Sequence, residues 1–177
     1  VTLEDNKSQE QVKALLDACE SFKDMIFLFT KANADTSGRI INQMIDDFVE
    51  KNKNAIAFTS LGMLRYLSAL KYCAMVLGNS SSGLIEAPSF GVPTINIGDR
   101  QRGRVQADSV INCAPFGESI KEAICLARTE EFRKKANQTV NPYGDGTTSE
   151  KIVEVIKEFI LNDKIDIKKK FYDCKVN

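Results

Sequence analysis

With 177 residues, 24 basic against 24 acidic side chains and a net charge of zero, the chain can bury one ordinary core but carries no broad field for nucleic acid or a membrane surface. Histidine is wholly absent, which excludes every Ser-His-Asp or Cys-His arrangement and the commonest metal ligand. Five scattered cysteines without a CxxC pair read as reduced packing residues in a cytoplasm, and there is no bilayer-length apolar stretch and no secretory signal.

Helical and strand patterns then alternate along the chain. Val1-Thr2-Leu3-Glu4 enters a helical pattern without an initiator Met, so the chain is expected to be a piece of something longer. Ser8 is placed to cap a helix through Leu15, Leu16 and Cys19, and Met25 to Thr30 form an apolar strand. After the turn from Asn33 to Gly38, the residues Ile40, Ile41, Met44, Ile45, Phe48 and Val49 mark one helical face. Ala55 to Thr59 is predicted as a strand, Leu61 to Leu70 as a helix, Cys73 to Leu77 as a strand and Leu84 to Phe90 as a short helix. Pro93 to Ile97 and Ser109 to Cys113 follow as strands, then Ile120 to Arg128 and Glu130 to Asn137 as helices. The last helix runs from Ser149 to Leu161, with Ile152, Val153, Ile156, Phe159 and Ile160 expected inward. Residues 1–162 are therefore read as one α/β domain, Rossmann-like and built on a doubly wound parallel sheet covered on both faces, with 163–177 as a charged tail.

The stretch from Val76 to Pro88 carries the most chemistry. An apolar strand ends in Gly78-Asn79-Ser80-Ser81-Ser82-Gly83, and a helical pattern begins. Free N–H groups, serine hydroxyls and a glycine that lets an anion approach the backbone suit a phosphate. Glu86, one turn on, is placed to take the two hydroxyls of a ribose. Such clusters also serve as plain caps and turns. The next strand ends in Gly98-Asp99-Arg100-Gln101-Arg102-Gly103-Arg104, three guanidiniums in five positions. In a parallel sheet they open on the same edge as the serine loop, where Arg suits forked recognition of phosphate oxygens. Alternatively they pair with Asp99 and Asp108 in a solvated loop. Asn33 and Ser60-Leu61-Gly62, after the first two strands, converge on the same edge. Beyond Glu86 no close carboxylate pair is found at these strand ends, so the acid–base chemistry is expected on another domain.

Taken together, the serine loop, Glu86, the Gly98–Arg104 loop and Asn141-Pro142-Tyr143-Gly144-Asp145-Gly146 resemble, in order and spacing, the C-terminal half of UDP-N-acetylglucosamine 2-epimerases. The nearest type is the hydrolysing one, which makes N-acetylmannosamine for sialic acid synthesis. The resemblance implies one half of a GT-B two-domain fold, in which this domain holds UDP and the N-terminal half supplies the catalytic groups. By the same resemblance, Ser80 and Ser81 match diphosphate-binding serines, with Ser82 beside them as a further donor. Glu86 matches the ribose-binding glutamate, Arg100 an arginine on the diphosphate side, and Asn33 an asparagine near the nucleotide. Tyr66 and the Leu61 region correspond to the part contacting uracil. The chain has Asn-Ser-Ser-Ser-Gly and a single glutamate where the non-hydrolysing type has Asp-Ser-Gly-Gly and consecutive glutamates. The implied partners are a UDP-sugar and the missing N-terminal domain, in a homo-oligomeric full-length enzyme, with no cofactor and no metal. Three alternatives remain beside this reading: an epimerase for UDP-diacetylbacillosamine, the nucleotide half of a GT-B glycosyltransferase, and a nucleotide-sensing module.

Overall fold

The computed structural model describes residues 7–32, 38–162 and 168. The chain divides into two compact units, Val1–Pro142 and Tyr143–Asn177. In the first, helix α1 (Ser8–Glu20) is followed by β1 (Phe27–Thr30), α2 (Gly38–Lys51), β2 (Ala55–Phe58), α3 (Gly62–Tyr72) and β3 (Val76–Gly78). Then come α4 (Ser82–Ile85), a 3₁₀ turn (Ala87–Phe90), β4 (Thr94–Ile97), β5 (Val110–Cys113), α5 (Gly117–Arg128) and α6 (Glu130–Asn137). The second unit contains α7 (Thr148–Leu161). The expected tail, 163–177, lies outside the described residues apart from Lys168, as does Asn33.

All strand pairing is parallel, as the strand–helix alternation requires. Phe27 lies opposite Ala55 and Thr30 opposite Phe58 in the β1–β2 pair. The other sheet has the order β3-β4-β5, with Gly78 opposite Asn96 and Asn96 opposite Asn112. The single expected sheet is thus two parallel sheets, and no ladder joins β1 to β3 among the described residues. The facing stretches Leu28–Thr30 and Leu77–Gly78 instead line a common cleft.

The core gathers on β4, whose four residues are all buried. Ile120, Ala123, Ile124 and Ala127 recur along α5 with helical spacing and pack with Ile95, Ile97, Met75 and Ala18. Full burial of an Ile is worth about 1.5–3 kcal/mol, so Ile95, Ile120 and Ile124 anchor this side of the sheet. The two polar residues of β4 have partners: Thr94 Oγ1 donates to the Gly83 carbonyl at 3.0 Å, and Asn96 Nδ2 to Asn112 Oδ1 at 2.8 Å. Helix α6 is capped by Thr129, whose hydroxyl accepts from the Phe132 N–H at 3.2 Å. Glu130 and Glu131 in its first turn and Lys134 and Lys135 in its last complement the helix dipole.

Four local expectations are corrected. Ser8 is the first helical residue and buried, so it is packed and makes no capping bond. On α2, Ile41 and Ile45 are buried but Ile40 is exposed, because the core-facing stripe is narrower than the apolar one. The helix expected from Leu84 to Phe90 breaks after Ile85: Pro88 has no N–H to donate, so the chain continues as a 3₁₀ turn. That turn ends at Gly91 in the left-handed conformation, φ +65°. Helix α7 has its predicted apolar stripe, yet all its residues are exposed, Ile152, Val153, Ile156, Phe159 and Ile160 included.

The cysteines of the first unit are free thiols in the structure, and Cys19 lies fully within the core. Burial pushes the Cys19 thiol up to about 12 and the Cys113 thiol up to about 11. A raised native value means that the folded state holds the proton more tightly than the unfolded chain does. The resulting stabilisation is complete below about pH 9 and is lost as pH rises toward 12. In alkaline denaturation, Cys19→Ala is expected to lower stability at neutral pH but to show a shallower decline between pH 9 and 11 than the parent chain.

Candidate functional site

A cleft of about 750 Å³ opens at the C-terminal ends of the first four strands. Its rim is formed by Thr30–Ala32 after β1, Thr59–Gly62 after β2, Gly78–Ser80 after β3 and Arg100 after β4. Tyr66 and Leu67 of α3 also line it, with Ser82 and Glu86. Toward the interior the walls turn apolar, with Leu28, Phe29, Ile41, Ile45 and Leu77. An apolar floor beneath a polar rim is the usual build of a small-molecule site, and the volume lies within the usual range of a few hundred to about 1,000 Å³.

The sequence reading placed the serine and arginine loops on one edge, and the β3–β4 register brings them side by side. The Asn79 carbonyl joins them: Gln101 Nε2 donates to it at 2.7 Å and Arg100 Nη1 at 3.3 Å. Gln101 is almost fully buried, so its amide is a fixed strut beneath the exposed Arg100 guanidinium. Of the three arginines in the loop, only Arg100 lines the cleft, while Arg102 and Arg104 are exposed elsewhere on the turn. In the serine loop, Ser80 and Ser82 line the cleft and Ser81 does not; the Ser81 carbonyl accepts from the N–H groups of Leu84 at 3.0 Å and Ile85 at 2.9 Å. The Ser80 hydroxyl accepts from the Ser82 N–H at 3.4 Å. Ser82 Oγ shares a hydrogen bond with the Tyr66 hydroxyl. Burial holds the Tyr66 phenol above its ordinary value; the Ser82 bond partly offsets this, and the nearby Glu86 charge adds to it. Because α4 has only four residues, its dipole is short and weak. The polar groups that the cleft presents include the Ser80 and Ser82 hydroxyls and the Arg100 guanidinium.

Gly83 also has a packing role. It is buried in α4, and an added Cβ would sit 2.7 Å from Thr94 Cγ2. The glycine lets α4 close onto β4, which sets the height of the serine loop above the sheet. Gly83→Ala is expected to destabilise the fold by about 1–2 kcal/mol through overpacking, read as a lower urea midpoint with an unchanged slope.

Asn33 lies outside the described residues, but its neighbour Ala32 is pinned. The Ala32 N–H donates to Asn42 Oδ1 at 2.8 Å, and Asn42 Nδ2 returns a bond to the Ala32 carbonyl at 3.1 Å. Asn141 Nδ2 reaches the Ile85 carbonyl at 2.8 Å and Ser89 Oγ at 2.6 Å, fastening the segment that carries Glu86. Among the described residues no group of three His, Cys, Asp or Glu could hold a metal ion, and no helix is long and apolar enough to cross a membrane.

The sequence profile of UDP-N-acetylglucosamine 2-epimerases matches residues 1–157. The chain belongs to the UDP-N-acetylglucosamine 2-epimerase family. It is 39% identical over 176 residues to the polysialic acid biosynthesis protein P7 of Escherichia coli, an alignment covering 97% of this chain and 44% of that protein. It is 35% identical over 174 residues to the GDP/UDP-N,N'-diacetylbacillosamine 2-epimerase (hydrolyzing) of Campylobacter jejuni, covering 98% of this chain and 44% of that enzyme. In fold it matches the UDP-N-acetylglucosamine 2-epimerase of Neisseria meningitidis, solved bound to UDP-GlcNAc, with a TM-score of 0.66 at 21% identity over 85% of this chain and 41% of the other. The chain therefore spans less than half the length of the relatives it matches, and its fold is the Rossmann-like α/β half of a GT-B epimerase.

Within this epimerase-family domain, sequence reasoning missed Gln101, Asn42 and Asn141 as supports. Gln101 sits inside the quoted arginine motif and Asn141 opens the quoted Asn-Pro-Tyr-Gly motif, so the signal was present. Nothing in a linear pattern, however, tells a strut from a ligand contact. A second recess of about 590 Å³, bordered by Asp108, Glu131, Lys134 and Lys135, contains none of the residues expected to bind the nucleotide.

Proposed function

We propose that this chain is the UDP-binding half of a hydrolysing UDP-N-acetylglucosamine 2-epimerase, acting in the cytoplasm to supply N-acetylmannosamine for sialic acid synthesis. The observation that carries this reading is the meeting of Ser80, Ser82, Glu86 and Arg100 on one cleft at the strand ends. The hydroxyls and the guanidinium take the diphosphate, with Ser81 supporting the turn from behind. Glu86 takes the ribose hydroxyls, the base lies toward Tyr66 and Leu61, and Asn33 is kept as a nucleotide contact on the family resemblance alone. A general base takes the C2 proton as C1–O breaks and UDP leaves, and a glucal with a C1=C2 double bond remains. Water then adds, its oxygen to C1 and a proton to the opposite face of C2, to give the free 2-epimer. Charge grows on the diphosphate in the first step, and preorganised donors facing it stabilise the transition state. Removing one such donor from a closed site typically costs about 3–4 kcal/mol of barrier. The acid and base at the sugar are assigned to the further half that the relatives possess, because among the described residues this cleft offers Glu86 as its single carboxylate.

The polysialic acid name of the Escherichia coli relative supports the sialic acid reading. The hydrolysing diacetylbacillosamine epimerase of Campylobacter jejuni, similar over nearly the whole chain, supports a second reading in which the sugar is UDP-diacetylbacillosamine. Titration calorimetry of this 177-residue chain with UDP tests the site: heat of binding is expected, and its absence at millimolar UDP with a folded chain would overturn the assignment. Feeding each UDP-sugar to the full-length protein and identifying the released free sugar decides between the two substrates.

A further inference from the structure

Tyr66 touches the serine loop. Its hydroxyl, at the middle of α3, is hydrogen-bonded to Ser82 Oγ, and both groups line the cleft beside Glu86. A phenol is a far stronger acid than an aliphatic alcohol, so in a bond between the two the phenol donates and the serine oxygen accepts. Ser82 then keeps its own proton. A hydroxyl that accepts one hydrogen bond is also polarised into a better donor for the next. Were the roles reversed, Ser82 would turn lone pairs toward the cleft, and an anion there would be repelled. The burial of Tyr66 and the nearby Glu86 charge keep the phenol protonated, so the donor persists across the neutral range.

We propose that Tyr66 is a positioning residue for diphosphate recognition, donating to Ser82 Oγ so that the Ser82 proton faces the anion. The inference rests on the UDP-site reading and deepens it: the Tyr66 hydroxyl serves the phosphate end of the ligand through Ser82 and is not spent on the base. The bond also ties α3 to the serine loop.

The test compares three ligands, UDP, pyrophosphate and uridine, on the 177-residue chain and on Tyr66→Phe, Ser82→Ala and the double variant. Tyr66→Phe is expected to weaken UDP and pyrophosphate by the same factor, roughly fivefold, as for one lost hydrogen bond, and to leave uridine unchanged. In the Ser82→Ala background the same change is expected to add nothing, because the relay is already broken. Pyrophosphate is expected to perturb tyrosine near-ultraviolet absorbance in the parent chain, and this perturbation to vanish in both single variants. Should Tyr66→Phe fail to fold, its loss in Ser82→Ala carries the test. Losses confined to UDP and uridine with pyrophosphate untouched, or fully additive losses in the double variant, would overturn the proposal. Failure of the parent chain to bind either UDP or pyrophosphate is a separate result, and it refutes the underlying site.

Discussion

Arg100→Ala is expected to weaken both UDP and pyrophosphate by roughly ten- to hundredfold, the loss of a charge-assisted hydrogen bond of about 1.5–3 kcal/mol. Arg100 is the single arginine of its loop on the cleft, and it is exposed, so salt screens its attraction for an anion. The deficit of the variant should therefore be larger at 10 mM than at 500 mM salt, where about 30 Å of Debye length has shrunk to a few ångströms. Arg102→Ala and Arg104→Ala, exposed in the same loop but off the cleft lining, serve as controls for net charge. Calorimetric titration of the three variants decides the point. Equal losses for all of them would mean a diffuse field and would sink the specific role of Arg100.

Glu86→Ala is expected to split the two ligands. Losing a carboxylate that holds a ribose removes about 2–3 kcal/mol of UDP affinity, on the order of thirty- to two-hundredfold. Pyrophosphate has no ribose, and removal of a neighbouring negative charge should leave its affinity unchanged or slightly improved. Glu86 lines the same cleft as Ser82 and Arg100, and its segment is held by Asn141, so truncation of the side chain leaves the backbone supports intact. Titration of the variant with both ligands gives the ratio directly. Parallel losses for UDP and pyrophosphate would contradict the ribose assignment.

The alternation of elements was readable because buried parallel strands and amphipathic helices leave different periodicities, and α6 lies where the sequence placed it. The adjacency of the serine and arginine loops followed from topology alone, since strands next in order on a parallel sheet open on one edge. What stayed hidden depends on the third dimension. That β1 and β3 share no ladder among the described residues leaves no mark in either strand, because pairing between strands distant in sequence is set by tertiary packing. The packing role of Gly83 appears only once Thr94 is seen beneath it. Ser80, Ser81 and Ser82 are chemically alike in a string of letters, yet the turn sends the first and third to the cleft and leaves the second off its lining. Pro88 was visible, and it could have indicated the break after Ile85.

The shared acceptor at Asn79 has a kinetic consequence. A carbonyl has two lone pairs, and here Gln101 occupies one and Arg100 the other. A guanidinium carries five N–H groups, so spending one as a tether leaves the remaining fork directed at an incoming guest. The entropy of ordering that arm is therefore lost as the chain folds, before any guest arrives. Capture should then follow a single bimolecular phase whose rate rises linearly with ligand concentration, without the plateau that a loop rearranging on demand would impose.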